Sequence, residues 1–240
     1  MPDAQQHSDS TVKAKSTEDV IYTELYDAIC ERQLLPDTKL GEAMLAEHYG
    51  VSRTIIRQVL LKLSGDYLVK LEPNRGAFVA RLSLDEAKQI YAAWRLIEAE
   101  IIRDVTASAT PEQIASLRAL IAAERKACDQ EDYPLLTRLS TQFHLQLADL
   151  CSNRFLGRFL KELIPQTSLA YFYDVRKMPL CTKDEHSLIL NHIAAGEAEA
   201  AVTVAMQHLD GIEAALNART ALEQKVSLVD KLKSRVPSLS

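Results

Sequence analysis

Leu40 to Val79 reads LGEAMLAEHYGVSRTIIRQVLLKLSGDYLVKLEPNRGAFV. The spacing predicts a short helix over Glu42 to His48 with Leu45 inward, closed by Gly50 where the chain needs a positive φ. Ser52 is a good N-cap for a second helix running to about Ser64. Its apolar face is Ile56, Val59, Leu60 and Leu63, which leaves Arg53, Thr54 and Arg57 to face outward. Tyr67-Leu68-Val69 and Ala77-Phe78-Val79 are strand-like runs joined through Pro73-Asn74-Arg75-Gly76, a hairpin with a turn-forming tip. The expected fold is therefore a winged helix-turn-helix, an α+β unit whose second helix enters a DNA major groove with its N-terminal residues towards base edges. Ser52, Arg53, Thr54, Arg57, Arg75 and Gly76 are the candidate DNA contacts. Arg53 and Arg57 share a helix face, and Gly76 removes steric obstruction at a tip suited to the minor groove or the backbone. The bland alternative is a winged helix used for protein contact, with its arginines merely solvated.

Charge supports the first reading by its distribution, not by its sum. The whole chain of 240 residues carries a formal charge of -5. Between Arg53 and Arg81, however, Arg53, Arg57, Lys62, Lys70, Arg75 and Arg81 face only Asp66 and Glu72, and phosphate responds to that local field. No apolar run is long enough for a membrane span. The first 17 residues are polar without an apolar signal core, and are expected to be a disordered leader. Cys30, Cys128, Cys151 and Cys181 are scattered without a Cys-x-x-Cys spacing, an arrangement that suits a cytoplasmic location.

Working outward, residues 18 to 32 show helical apolar spacing through Ile21, Leu25, Ala28 and Ile29, and Leu40 sits on a short strand. Beyond Arg81 the signal is helical almost to the end. Ser83 and Glu86 form a capping box opening a helix to about Ser108. Thr110-Pro111 restarts one that ends near Asp129. Further helices are expected over Pro134 to Leu150, Arg154 to about Tyr173, Lys183 to Ala195 and Glu197 to about Thr220, with a last short helix and a tail over residues 226–240. Six antiparallel helices joined by short loops make an all-α bundle. The expected organisation is a leader (1–17), a winged helix-turn-helix domain (18–81), a helical effector-binding and dimerisation domain (82–222) and a tail (223–240).

Three histidines on different bundle helices stand out. His144, His186 and His208 each lie on an amphipathic stretch. Three imidazoles with a water or substrate oxygen form an ordinary site for zinc, nickel, manganese or iron. Spacing alone leaves open whether they converge, since a lone histidine beside an apolar face is usually a satisfied core residue. His192, six residues after His186, falls towards the opposite side of its helix, and His7 and His48 lie outside the bundle.

The pattern Leu40-x4-Leu45-Ala46-x3-Gly50-Val51-Ser52-Arg53-Thr54-x2-Arg57-x2-Leu60-x2-Leu63, closing in Arg75-Gly76-Ala77-Phe78-Val79, resembles the N-terminal domain of the GntR family of bacterial transcription regulators. The helical remainder resembles the ligand-binding domain of that family's FadR-like branch. Three residues depart from the pattern: Ala43 stands where some relatives carry an arginine, Gln58 replaces a glutamate, and Tyr67 replaces the usual glycine. The resemblance implies a metal held by His144, His186 and His208 together with an aspartate one turn before the first histidine. This chain has Ser140 there, so an effector carboxylate or water would complete the shell, or the histidines would bind an acidic effector without metal. Arg95, in the family-like Arg95-Leu96-Ile97-Glu98, is expected to pair with an effector carboxylate or, equally, to form an internal salt bridge with Glu98 or another helix. Ser140, Asn153 and Tyr171 join Arg95 as the candidate effector contacts, with helix termination or hydrogen bonding the leading role for Asn153 and a buried, satisfied aromatic the equal alternative for Tyr171.

The function so implied is a cytoplasmic homodimeric repressor, released from a pseudo-palindromic double-stranded operator by a small carboxylate metabolite. One alternative is a regulator that senses the metal itself. The other, an enzyme using the three-histidine site, lacks an evident base or nucleophile beside the metal and leaves the DNA-reading segment unexplained.

Overall fold

The computed structural model describes residues 16–169 and 184–233, with side chains up to residue 215. The chain opens with α1 (Thr17–Cys30), capped by the Ser16 hydroxyl, then β1 (Lys39–Leu40), α2 (Glu42–Tyr49) and α3 (Arg53–Gly65). β2 (Val69–Glu72) and β3 (Gly76–Val79) follow, forming an antiparallel sheet in the order β1-β3-β2 with Lys70 opposite Phe78 and Lys39 on its other side. Gly50 ends α2 at φ 64° and Ser52 caps α3 through Ile55 N–H, as their residue types predict. Ile21, Leu25 and Ile29 of α1 share a core with Ile56, Val59, Leu60 and Leu63 of α3, closed from the sheet side by Ala77 and Val79.

One boundary differs from the expected strand at Tyr67. Tyr67 adopts φ 61°, and Leu68 N–H bonds back to Leu63 C=O at 3.0 Å, so this residue still belongs to the termination of α3. The strand consequently starts at Val69. A left-handed residue at a helix end is what glycine ordinarily supplies, which accounts physically for the glycine usual at this position.

The second unit is all-helical: α4 (Leu84–Ser108), α5 (Pro111–Asp129), α6 (Tyr133–Leu150), α7 (Arg154–Leu163), α8 (Glu185–Ala195) and α9 (Ala198–Lys233) among the described residues. Capping boxes at Ser83/Glu86 and Thr110/Gln113 start α4 and α5. α4 lies along α9, α5 packs on α6, and α8 packs on α9. Two sequence expectations change here. α7 ends at Leu163 and passes into a 3-10 segment, Ile164–Leu169, whereas α9 continues unbroken past Thr220 to Lys233.

That 3-10 segment ties the two units together. Leu169 is buried in the core of the N-terminal unit, its carbonyl accepts from Leu82 N–H, and Arg32 reaches Thr167 C=O. α7, from which it extends, packs against α6 so closely that any side chain at Gly157 would overlap the Ala148 carbonyl. No helix among the described residues is long and apolar enough to cross a membrane. Cys30 and Cys151 are free thiols, while Cys128 is disulfide-bonded, a pairing that the spacing of the cysteines did not announce.

Candidate functional site

His144 comes from the middle of α6, His186 from the first turn of α8 and His208 from α9. All three are buried, and one ligand nitrogen from each lies within 4.8 Å of the others. The convergence that spacing left open is therefore present. The rings are wedged by aromatic neighbours: Phe143 stacks on His186 with centroids 4.4 Å apart, and Trp94 meets His144 edge-on at 5.0 Å.

Each ring has one nitrogen engaged by a carboxylate. His144 Nδ1 is 2.5 Å from Glu98, His186 Nδ1 is 2.8 Å from Glu124, and His208 Nδ1 is 2.7 Å from Glu185. Glu98 also accepts from the Trp94 indole N–H. The nitrogens left over are Nε2, and those of His186 and His208 are 3.3 Å apart. Burial would raise the Glu98 carboxyl, but its contact with His144, with His208 behind it, outweighs this and holds Glu98 below the usual range. Burial pushes His208 below the ordinary histidine value, against the opposing pull of Glu185. A neutral imidazole with Nδ1–H held by a carboxylate and Nε2 turned inward is the form in which histidine binds a metal. The donor set thus fits a divalent cation, with no feature that selects zinc over nickel, manganese or iron.

The remaining predicted residues are placed as follows. Ser140 is buried on α6, one turn before His144. Arg95 is held by Asp210 and Glu213 of α9, at 2.8 and 2.5 Å, so its present partners are helix-to-helix carboxylates. Asn153 caps α7, accepting from Phe155 and Leu156 N–H. Tyr171 lies outside the described residues. Nothing in the sequence connects Glu98, Glu124 or Glu185 with the histidines, because each meets a ring carried by a different helix. His192 stays out of the cluster and pairs with Glu197.

On the N-terminal unit, Arg53 and Thr54 are exposed at the start of α3. Arg57 is exposed too, but its guanidinium is clasped by Glu42 of α2 at 2.7 and 3.1 Å. Ser52 spends its hydroxyl on the cap. At the hairpin tip Arg75 pairs with Glu72 and lies 5.4 Å from the Phe78 ring centroid, and Gly76 has φ 100°. Surface ion pairs of this kind are weak and exchange readily for phosphate.

Two family models match the chain: the gntR family of bacterial regulatory proteins over residues 17–79 and the FCD domain over residues 89–211. The chain belongs to the GntR family. Its helical part is the FCD, FadR-like type, so the protein is a transcription regulator rather than an enzyme. Among similar curated proteins, this GntR regulator is 26% identical over 208 residues to the HTH-type transcriptional regulator LutR of Bacillus subtilis, covering 77% of its own length and 94% of LutR. Its fold is that of E. coli McbR/YncC, with a TM-score of 0.79 at 18% identity over 86% of this chain and 100% of that one. A GntR transcriptional regulator from Rhodococcus sp. RHA1 gives 0.74 at 23% identity over 85% and 99%. At these identities the likeness to the solved structures speaks for the fold alone.

Proposed function

We propose that this GntR regulator is a homodimeric repressor whose helical domain (82–222) binds a small carboxylate through a divalent metal at His144, His186 and His208. The winged domain (18–81) would hold a pseudo-palindromic operator through Ser52, Arg53, Thr54, Arg57, Arg75 and Gly76. The observation that carries the metal reading is the convergence of three buried imidazoles whose Nδ1 atoms all meet carboxylates.

When bound, the metal supplies a positive charge able to coordinate an anionic oxygen. Ser140, standing where a carboxylate ligand is expected, leaves room for an effector oxygen in that shell. Arg95 could serve the effector only by releasing Asp210 or Glu213, and Asn153 only by releasing the start of α7. The route to the heads would run from α6, which bears His144, to α7 and along its 3-10 extension to Leu169 in the head's core. A carboxylate controls DNA binding by this route to the extent that it favours one placement of the heads over another.

Two heads are needed because one winged helix reads a half-site only. The test is selection of an operator from random double-stranded DNA, followed by anisotropy titrations with the full chain and its Arg53→Ala and Arg75→Ala variants. The proposal predicts a two-fold-symmetric selected site and weaker binding by both variants. Failure to enrich any DNA sequence would sink it.

A further inference from the structure

We infer that Glu98, Glu124 and Glu185 are positioning residues for the three-histidine centre, supplying from around the rings the negative charge that Ser140 withholds from the centre itself. This rests on the metal reading above. The three carboxylates come from three different helices, α4, α5 and α8, and their side chains are 0%, 11% and 19% exposed. Each takes one ring and no ring is shared.

An ionised carboxylate can only accept. Nδ1–H therefore donates in every ring, which leaves Nε2 as the nitrogen available to a cation. The Nε2 atoms of His186 and His208 are 3.3 Å apart, so one cation could be reached by both. Three neutral imidazoles bring no charge to a dication, and a serine in place of the expected aspartate brings none either. The surrounding glutamates bring three negative charges in a buried, weakly screened setting. Sequence proximity did not produce this: Glu185 adjoins His186 yet serves His208, across from α8 to α9.

The test uses the full chain and zinc. Equilibrium dialysis against a zinc-buffered series gives the affinity of the parent and of Glu98→Gln, Glu124→Gln and Glu185→Gln, each a near-isosteric change that removes the charge. Each variant is expected to bind zinc roughly 10- to 100-fold more weakly. Adding Ser140→Asp, which places a carboxylate one turn from His144, is expected to recover much of the loss in the Glu124→Gln background. Affinities within twofold of the parent for all three variants would overturn the inference while leaving the metal reading intact. A parent that takes up no zinc would overturn both.

A second readout does not depend on the variants folding. In the zinc-loaded parent with 15N-labelled histidine, the ring nitrogen couplings should show Nδ1 protonated and Nε2 bound in His144, His186 and His208. Coordination through Nδ1 in any of the three would refute the assignment.

Discussion

Arg57 illustrates how a residue can be legible in type and hidden in state. Its place on α3 follows from helical spacing, yet its guanidinium is already paired with Glu42. For the arginine to grip phosphate, that pair must open. Glu42→Gln is therefore expected to tighten operator binding several-fold at low salt, because it frees Arg57 and removes a negative charge from the DNA face. Anisotropy titrations at two salt concentrations check this; unchanged or weaker binding would place Arg57 outside the interface. Tyr67 makes a second case. It holds φ 61° while largely exposed, so its side chain gains little packing for a conformation costing roughly 1 kcal/mol in a residue with a Cβ. Tyr67→Gly should be more stable than Tyr67→Ala by about 1 kcal/mol in urea unfolding; equal stabilities would contradict the left-handed assignment.

His208 adds a pH dependence of definite sign. Its folded-state pKa lies below the ordinary value of 6.5 because burial opposes its charge. As pH falls, the unfolded chain takes up this proton first, so the stability contributed by neutral His208 is complete above pH 6.5 and is lost on acidification through that value. Metal-free protein should melt at a lower temperature at pH 5.5 than at pH 7.5, and the difference should shrink in His208→Gln. An equal difference in both proteins would assign the acid sensitivity to other groups.

At the scale of elements, what the sequence revealed was local. Caps, turns and apolar periodicity act over three or four residues, so Gly50, Ser52, the Ser83 box and the core face of α3 could be read directly. The start of β2 was misplaced because the backbone sign at Tyr67 is carried by no pattern of hydrophobicity. The two helices expected on either side of residues 221–225 form one continuous α9 to Lys233, since no glycine or proline interrupts that stretch. Glu98, Glu124 and Glu185 look in sequence like charges on solvated helix faces. Only packing between helices converts them into partners of histidines, Glu98 and Glu124 buried and Glu185 half-buried. The 3-10 segment after α7 belongs to this scale too. Leu169 is buried in the core of a unit remote in sequence, so Leu169→Ala should cost about 2–5 kcal/mol. Hydrogen exchange should locate the loss in α1 and α3; a loss confined to the bundle would show that the segment does not support the head.

At the scale of the whole molecule, a winged head is joined through Ile164–Leu169 to a bundle holding three buried histidines, the sensor we propose. Family membership establishes a regulator and leaves the signal to be identified. The deciding measurement is the operator affinity of the parent and of His186→Ala, by anisotropy, across a panel of small carboxylates with zinc present. One class of carboxylate is expected to weaken the parent's binding at least fivefold, in the usual range of coupling between sites, while His186→Ala still binds the operator and no longer responds. A carboxylate that releases parent and variant equally well would contradict the histidine centre as the sensor.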